Sequence, residues 1–121
     1  MAKRILIAED EKPMARALEL KLTGAGFEVA VANDGEEAIA TEKKFKPDLI
    51  LLDLMMPKKD GFEVLADLKA EGSKTPVIVS SNLSQEDDFK RAKDLGAVDY
   101  FVKSDTPINQ VVLNVKKALG L

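Results

Sequence analysis

Glu9, Asp10, Asp53 and Lys103 are the residues of this chain best suited to chemistry, because each stands where an apolar run stops. Leu49-Ile50-Leu51-Leu52 leads into Asp53, and Leu54-Met55-Met56-Pro57 with Asp60-Gly61 follow. Four successive aliphatic residues closed by turn formers read as a strand buried on both faces. Asp53 is then the last residue of that strand, at the carboxyl edge of a sheet, where open α/β folds hold their ligands. A half-buried carboxylate at such a place needs a partner. Ile5-Leu6-Ile7-Ala8 leads in the same way into Glu9-Asp10, and Val98 to Val102 into Lys103.

Three carboxylates in one cleft require a cation or a proton. Two like charges ~5 Å apart repel by roughly 3 kcal/mol at an effective dielectric constant of about 20. Three such contacts weigh heavily against a domain stability of about 5–15 kcal/mol. The chain has no His and no Cys, so the donors are all oxygen and suit a hard ion, Mg²⁺ or Mn²⁺. The backbone carbonyl of Met55 could complete the coordination, and the ammonium of Lys103 adds the last positive charge. A phosphoryl group on Asp53 would exchange one negative charge for about two, by analogy with phosphoserine. The ion and Lys103 would stabilise charge spread over a phosphoryl group in transfer. Ser80, at the end of the run Pro76-Val77-Ile78-Val79, offers a hydroxyl from the same edge. This set suits an aspartate that accepts a phosphoryl group, holds it and then loses it to water.

The elements that must position these residues alternate strand and helix five times. The strands are expected at Ile5–Ala8, Phe27–Ala32, Leu49–Asp53, Pro76–Val79 and Val98–Val102. Pro13 opens a first helix carrying Met14, Leu18 and Leu22, which Gly24 and Gly26 end. Asn33 or Asp34 caps a second helix, with Ala38 and Phe45 inward. A third starts near Gly61 and buries Phe62, Leu65 and Leu68. Ser84-Gln85-Glu86-Asp87 resembles a capping box and opens a fourth, with Phe89, Ala92 and Leu95 inward. Asp105 or Thr106 caps a fifth, with Pro107 in its first turn and Ile108, Val111, Val112, Val115 and Leu119 as its apolar stripe. This alternation implies an α/β fold, a five-stranded parallel sheet with helices on both faces. Right-handed crossovers favour the flavodoxin-like order 2-1-3-4-5, which sets the ends of strands one and three side by side.

Composition excludes several classes. At 121 residues and 45% hydrophobic, the chain is about one domain with an ordinary core. No apolar run approaches the ~20 residues of a membrane span, and Ile5 to Ala8 is too short for a secretory signal. A net charge of −3 argues against a direct nucleic-acid interface. A cytoplasmic location is expected.

Taken together, these residues resemble the response regulator receiver domain, the CheY-like module of two-component phosphorelay systems. The resemblance covers essentially the whole chain, 1–121, and rests on Glu9-Asp10, Asp53 with Leu54-Met55-Met56-Pro57 and Asp60-Gly61, Ser80, Tyr100 and Lys103. It implies that Asp53 is the phosphoacceptor. The donor would be a phosphohistidine of a sensor histidine kinase or histidine phosphotransfer protein. It implies Asp10 as a direct Mg²⁺ ligand, Glu9 as one acting through water, and Lys103 as the partner of a phosphoryl oxygen. Ser80 and Tyr100 would form the switch pair, and the module would assist its own phosphorylation and dephosphorylation without being an enzyme for other substrates.

Two departures stand out. Glu9 stands where many members carry Asp. Ser104 follows Lys103 where the family usually has proline in a cis bond. Met55 and Asn82 flank the site at positions that tune phosphoryl lifetime in the family, and a thioether at 55 implies slow self-dephosphorylation. A haloacid-dehalogenase-type phosphohydrolase would want a carboxylate at position 55. A flavin module would want Ser, Thr or Gly where Glu9-Asp10-Glu11 stands. Helix four has a thin apolar face, so helix four, strand five and helix five are the expected phosphorylation-sensitive surface for a downstream protein. The chain is expected to be a free-standing regulator or an excised receiver, monomeric or dimerising on phosphorylation.

Overall fold

A computed structural model describes residues 2–121. Five parallel strands form one sheet in the order β2-β1-β3-β4-β5: β1 Arg4–Ala8, β2 Glu28–Ala32, β3 Leu49–Leu52, β4 Val77–Ser81 and β5 Asp99–Val102. The helices between and after them are α1 Lys12–Gly24, α2 Gly35–Phe45, α3 Gly61–Ala70, α4 Glu86–Asp94 and α5 Ile108–Ala118, with a 3₁₀ turn at Lys103–Asp105. The expected architecture and strand order are both present.

The sheet is covered on both sides because its central strands carry apolar side chains on both faces. Successive side chains of a strand point to opposite faces. Ile5, Ile7, Leu49, Leu51 and Ile78 meet Leu18 and Leu22 of α1 and Val111, Val112 and Val115 of α5. Leu6, Ala8, Ile50, Leu52 and Val79 meet Ala38 of α2, Phe62, Leu65 and Leu68 of α3 and Ala92 of α4. Among the described residues, no helix is long and apolar enough to cross a membrane.

Several boundaries differ from expectation. β3 stops at Leu52, one residue short of Asp53. The Asp53 N–H still donates to Ala8 O at 2.9 Å, but its carboxylate accepts the Met55 N–H, which bends the chain out of the ladder. β4 runs on to Ser81, because Ser80 and Ser81 pair with Phe101 and Val102, so Ser80 lies inside the strand. β5 starts at Asp99 and Lys103 falls in the turn after it. At α2 the cap is Asp34, which accepts from Glu37 N at 2.8 Å. At α4 the capping pair is shifted by one residue, to Gln85 and Asp88, whose carboxylate accepts from Gln85 N at 3.2 Å. Phe89 is 38% exposed. It packs edge-on to Tyr100 at 4.6 Å between ring centroids, while Ala92 alone on α4 is fully covered. Neither Asp105 nor Thr106 caps α5: Pro107 holds the N-cap position, Asp105 closes the 3₁₀ turn and the Thr106 hydroxyl donates to Val102 O.

Candidate functional site

The register of the sheet builds the site. Ala8 pairs with Leu52, so the residues after them, Glu9 and Asp53, emerge side by side. Leu52 pairs with Val79, and one further step sets Asp53 next to Ser80. The backbone of Glu9 is tied to β2 by its N–H to Ala32 O at 2.9 Å. A glycine shapes the third side. A β-carbon on Gly61 would lie 2.5 Å from Asp53 O and 2.6 Å from Leu54 Cα, so only glycine lets the start of α3 fold back onto the strand end. Gly61 N–H donates to Leu54 O at 2.9 Å and Asp60 caps α3 from Glu63 N at 2.8 Å, closing the loop that carries Met55.

Glu9, Asp10 and Asp53 each bring a carboxylate oxygen within 4.8 Å of the other two. Glu9 and Asp53 are buried and Asp10 is half-buried. Lys103 reaches the same point from the far side of β4. Its Nζ lies 3.1 Å from Asp53 Oδ2, pairs closely with Glu9 Oε1, and stands 3.7 Å from Glu11. All of the residues read from the sequence as Glu9, Asp10, Asp53 and Lys103 therefore converge. Ser80 is buried and shares with Lys103 a cavity of about 60 Å³. The Met55 N–H donates to Asp53 Oδ1 at 3.2 Å, and the residue is 60% exposed. Tyr100 is half-buried, its hydroxyl donating to Leu83 O at 2.6 Å.

The electrostatics follow from burial. Loss of water raises the Glu9 carboxyl to about 7; Lys103 pulls against that rise and the neighbouring Asp53 adds to it. Burial likewise holds Asp53 above the usual carboxylate range despite Lys103. Burial works to lower the Lys103 ammonium, but Glu9 and Asp53 outweigh it and hold it up. Burial, with Asp88 nearby, raises the Tyr100 phenol. Three carboxylates with one lysine leave a surplus of negative charge. The three carboxylates could together hold a cation, and the all-oxygen donor set fits a hard ion.

Two features were not read from the sequence. Glu11 adds a third, exposed anion beside Lys103; its place directly after Glu9-Asp10 was the available signal. The Ser104 N–H donates to Asn82 Oδ1 at 2.9 Å, joining the loops after β4 and β5. Among the described residues no peptide bond is cis, as the absence of proline at 104 implied.

Comparison with known proteins bears on the family and the fold. The model of the family described as "Response regulator receiver domain" matches residues 5–113. The "Probable transcriptional regulator ycf27" of Porphyridium aerugineum is 41% identical over 95% of this chain and 50% of its own length. The chain thus spans about half the length of the curated relatives it matches. The solved Francisella response regulator 1452 receiver domain superposes with a TM-score of 0.92 at 30% identity, covering 98% of this chain and 97% of that one. The BeF3-activated N-terminal receiver domain of Klebsiella pneumoniae RstA gives 0.90 at 27% identity, covering 97% and 98%.

Proposed function

This chain belongs to the response regulator receiver family of two-component systems, and on that premise we propose that Asp53 accepts a phosphoryl group from a partner phosphohistidine. The observation that carries the reading is the contact of the Lys103 ammonium with Asp53 Oδ2 at 3.1 Å, inside the group formed by Glu9, Asp10 and Asp53. The donor is a sensor histidine kinase or a histidine phosphotransfer protein, the class that supplies phosphoryl groups to this family. Residues 1–121 act as one receiver unit.

An oxygen of Asp53 attacks phosphorus. The P–N bond to the donor imidazole breaks, its electron pair stays on nitrogen, and an acyl phosphate forms on Asp53. Asp10, Asp53 and the Met55 carbonyl would hold Mg²⁺, or Mn²⁺ in its place, with Glu9 assisting through water. Bound there, the ion would supply positive charge against the phosphoryl oxygens. Lys103 releases its hold on the Asp53 carboxylate and follows the charge to a phosphoryl oxygen. Ser80 donates its hydroxyl to another. The module assists gain and loss of its own phosphoryl group and turns over no other substrate. With an exposed thioether at 55 in place of a group that orients water, hydrolysis is slow.

The output is a change of binding surface. Tyr100 is hydrogen-bonded to the loop after β4 and packed on Phe89 of α4, so movement of Ser80 reaches both. Phe89, Val98 and Leu113 put exposed apolar area on α4, the residue before β5, and α5. This face takes the downstream protein or, on phosphorylation, a second copy. Incubation with Mg²⁺ and acetyl phosphate tests the core of the reading: one phosphoryl mass is expected on the wild type and none on Asp53→Asn. Equal labelling of both would overturn it.

A further inference from the structure

The ladder between β4 and β5 ends at Ser81 and Val102. One more link lies beyond it, made by a side chain: Asn82 Oδ1 accepts the Ser104 N–H at 2.9 Å. Ser104 lies in the 3₁₀ turn that begins with Lys103. The first N–H groups of a helical turn lack partners within it and take one from elsewhere. Asn82 supplies that partner. The turn is held from its other end by the Thr106 hydroxyl on Val102 O at 2.9 Å and by Thr106 N–H on Lys103 O at 3.3 Å. The backbone of Lys103 is therefore fixed on both sides.

The loop after β4 is tied down to match. The Ser81 hydroxyl accepts Leu83 N–H at 3.2 Å, and Leu83 O accepts the Tyr100 hydroxyl at 2.6 Å. Asn82 sits between these bonds. The loop that follows Ser80 is thus linked to β5 near its start, through Tyr100, and just past its end, through Ser104. A proline at 104 would have no N–H to give.

We propose that the Asn82–Ser104 hydrogen bond is a latch that makes the Ser80 loop and the Lys103 loop move as one unit. Asn82 and Ser104 are then positioning residues: neither touches the phosphoryl group, and each sets where a group that does will stand. The proposal rests on the reading above, in which Ser80 and Lys103 both meet the phosphoryl group. Its consequence is concerted capture. A phosphoryl oxygen that draws the Ser80 hydroxyl also brings the Lys103 turn to its place, through one bond that uses the backbone of residue 104 and not its side chain.

The test uses the whole chain as wild type, Ser104→Ala, Ser104→Pro and Asn82→Leu, titrated with beryllofluoride in Mg²⁺ and followed by amide NMR, with Asp53→Asn as the reference for the site. Ser104→Ala keeps the N–H, so it should match the wild type in affinity and in the paired response of amides 80–83 and 103–106. Asn82→Leu, at an exposed position away from the core, should weaken beryllofluoride binding between about twofold and tenfold, the range one hydrogen bond carries. Its amides 80–83 should still respond while those of 103–106 lose most of their shift. Ser104→Pro should resemble Asn82→Leu, and the double variant should be no worse than either. A wild-type response in Asn82→Leu, or a loss in Ser104→Ala equal to that in Asn82→Leu, overturns the latch alone. Equal response of wild type and Asp53→Asn overturns the phosphoacceptor reading and the latch with it.

Discussion

Lys103 Nζ lies 3.1 Å from Asp53 Oδ2 although the two residues are fifty positions apart, and the lysine side chain is only 6% exposed. One ammonium thus serves two buried carboxylates, Glu9 and Asp53. Lys103→Met leaves both without it. The metal-free variant should lose about 1–3 kcal/mol of stability at neutral pH, since removing one partner of a buried ion pair strands the other. Urea unfolding with and without Mg²⁺ measures this; the added ion should recover more stability in the variant than in the wild type.

The raised carboxyl of Glu9 gives metal-free stability a pH dependence. A group whose value rises on folding from 4.5 to about 7 favours the folded state while it holds its proton. Its contribution is complete below about 4.5 and is lost as pH climbs through about 7. Asp53, shifted in the same direction, adds to the trend. Urea midpoints in EDTA should therefore fall from pH 5 to pH 8, in the contribution of these groups, and the increment from Mg²⁺ should grow over the same window. A flat Mg²⁺ increment would count against the cluster as a cation site.

Gly61→Ala should be severe for its size. The new methyl would meet Asp53 O and Leu54 Cα, both backbone atoms that cannot swing aside. A loss of about 1–3 kcal/mol is expected from such overpacking, with lowered phosphoryl uptake because Asp53 itself must shift. Gly24→Ala is the control: nothing lies within 4 Å of the added carbon, and alanine at that helix position should be neutral or mildly stabilising.

Ser80→Ala should keep its acyl phosphate and lose much of its switch. Mass spectrometry should find the phosphoryl adduct on the variant. Amide shifts of α4, β5 and α5 on adding beryllofluoride should shrink severalfold. Shifts of wild-type size would remove Ser80 from the pathway to the output face.

Phosphoryl loss should be slow, because the exposed Met55, two residues past Asp53, carries no side-chain group that holds a water in line. Met55→Asn should shorten the lifetime severalfold in a phosphate-release assay. A wild-type half-life of seconds would contradict the role given to the thioether.

Much of this was legible because buried parallel strands announce themselves. Ile5 to Ala8 and Leu49 to Leu52 are apolar without a break, and the residue after each run could be placed at the sheet edge by order alone. Strand ends were less visible. Ser80 and Ser81 look like turn residues, yet both are buried and paired with β5, a tertiary fact that their types do not reveal. Phe89 reads as core by its size and spacing but leans outward on Tyr100, since the face of α4 is too narrow to cover it. The Asn82–Ser104 bond joins residues that are twenty-two apart through a side chain and a backbone group, and no local pattern encodes such a pair.

Tyr100 is the chain's single tyrosine, and there is no tryptophan. With its phenol hydrogen-bonded to Leu83 O and its ring against Phe89, it is the dominant near-ultraviolet emitter of these 121 residues and lies on the proposed route from cleft to output face. The molecule carries its own fluorophore where a label would otherwise be engineered. If phosphorylation moves Tyr100 as proposed, its emission should change when beryllofluoride is added in Mg²⁺.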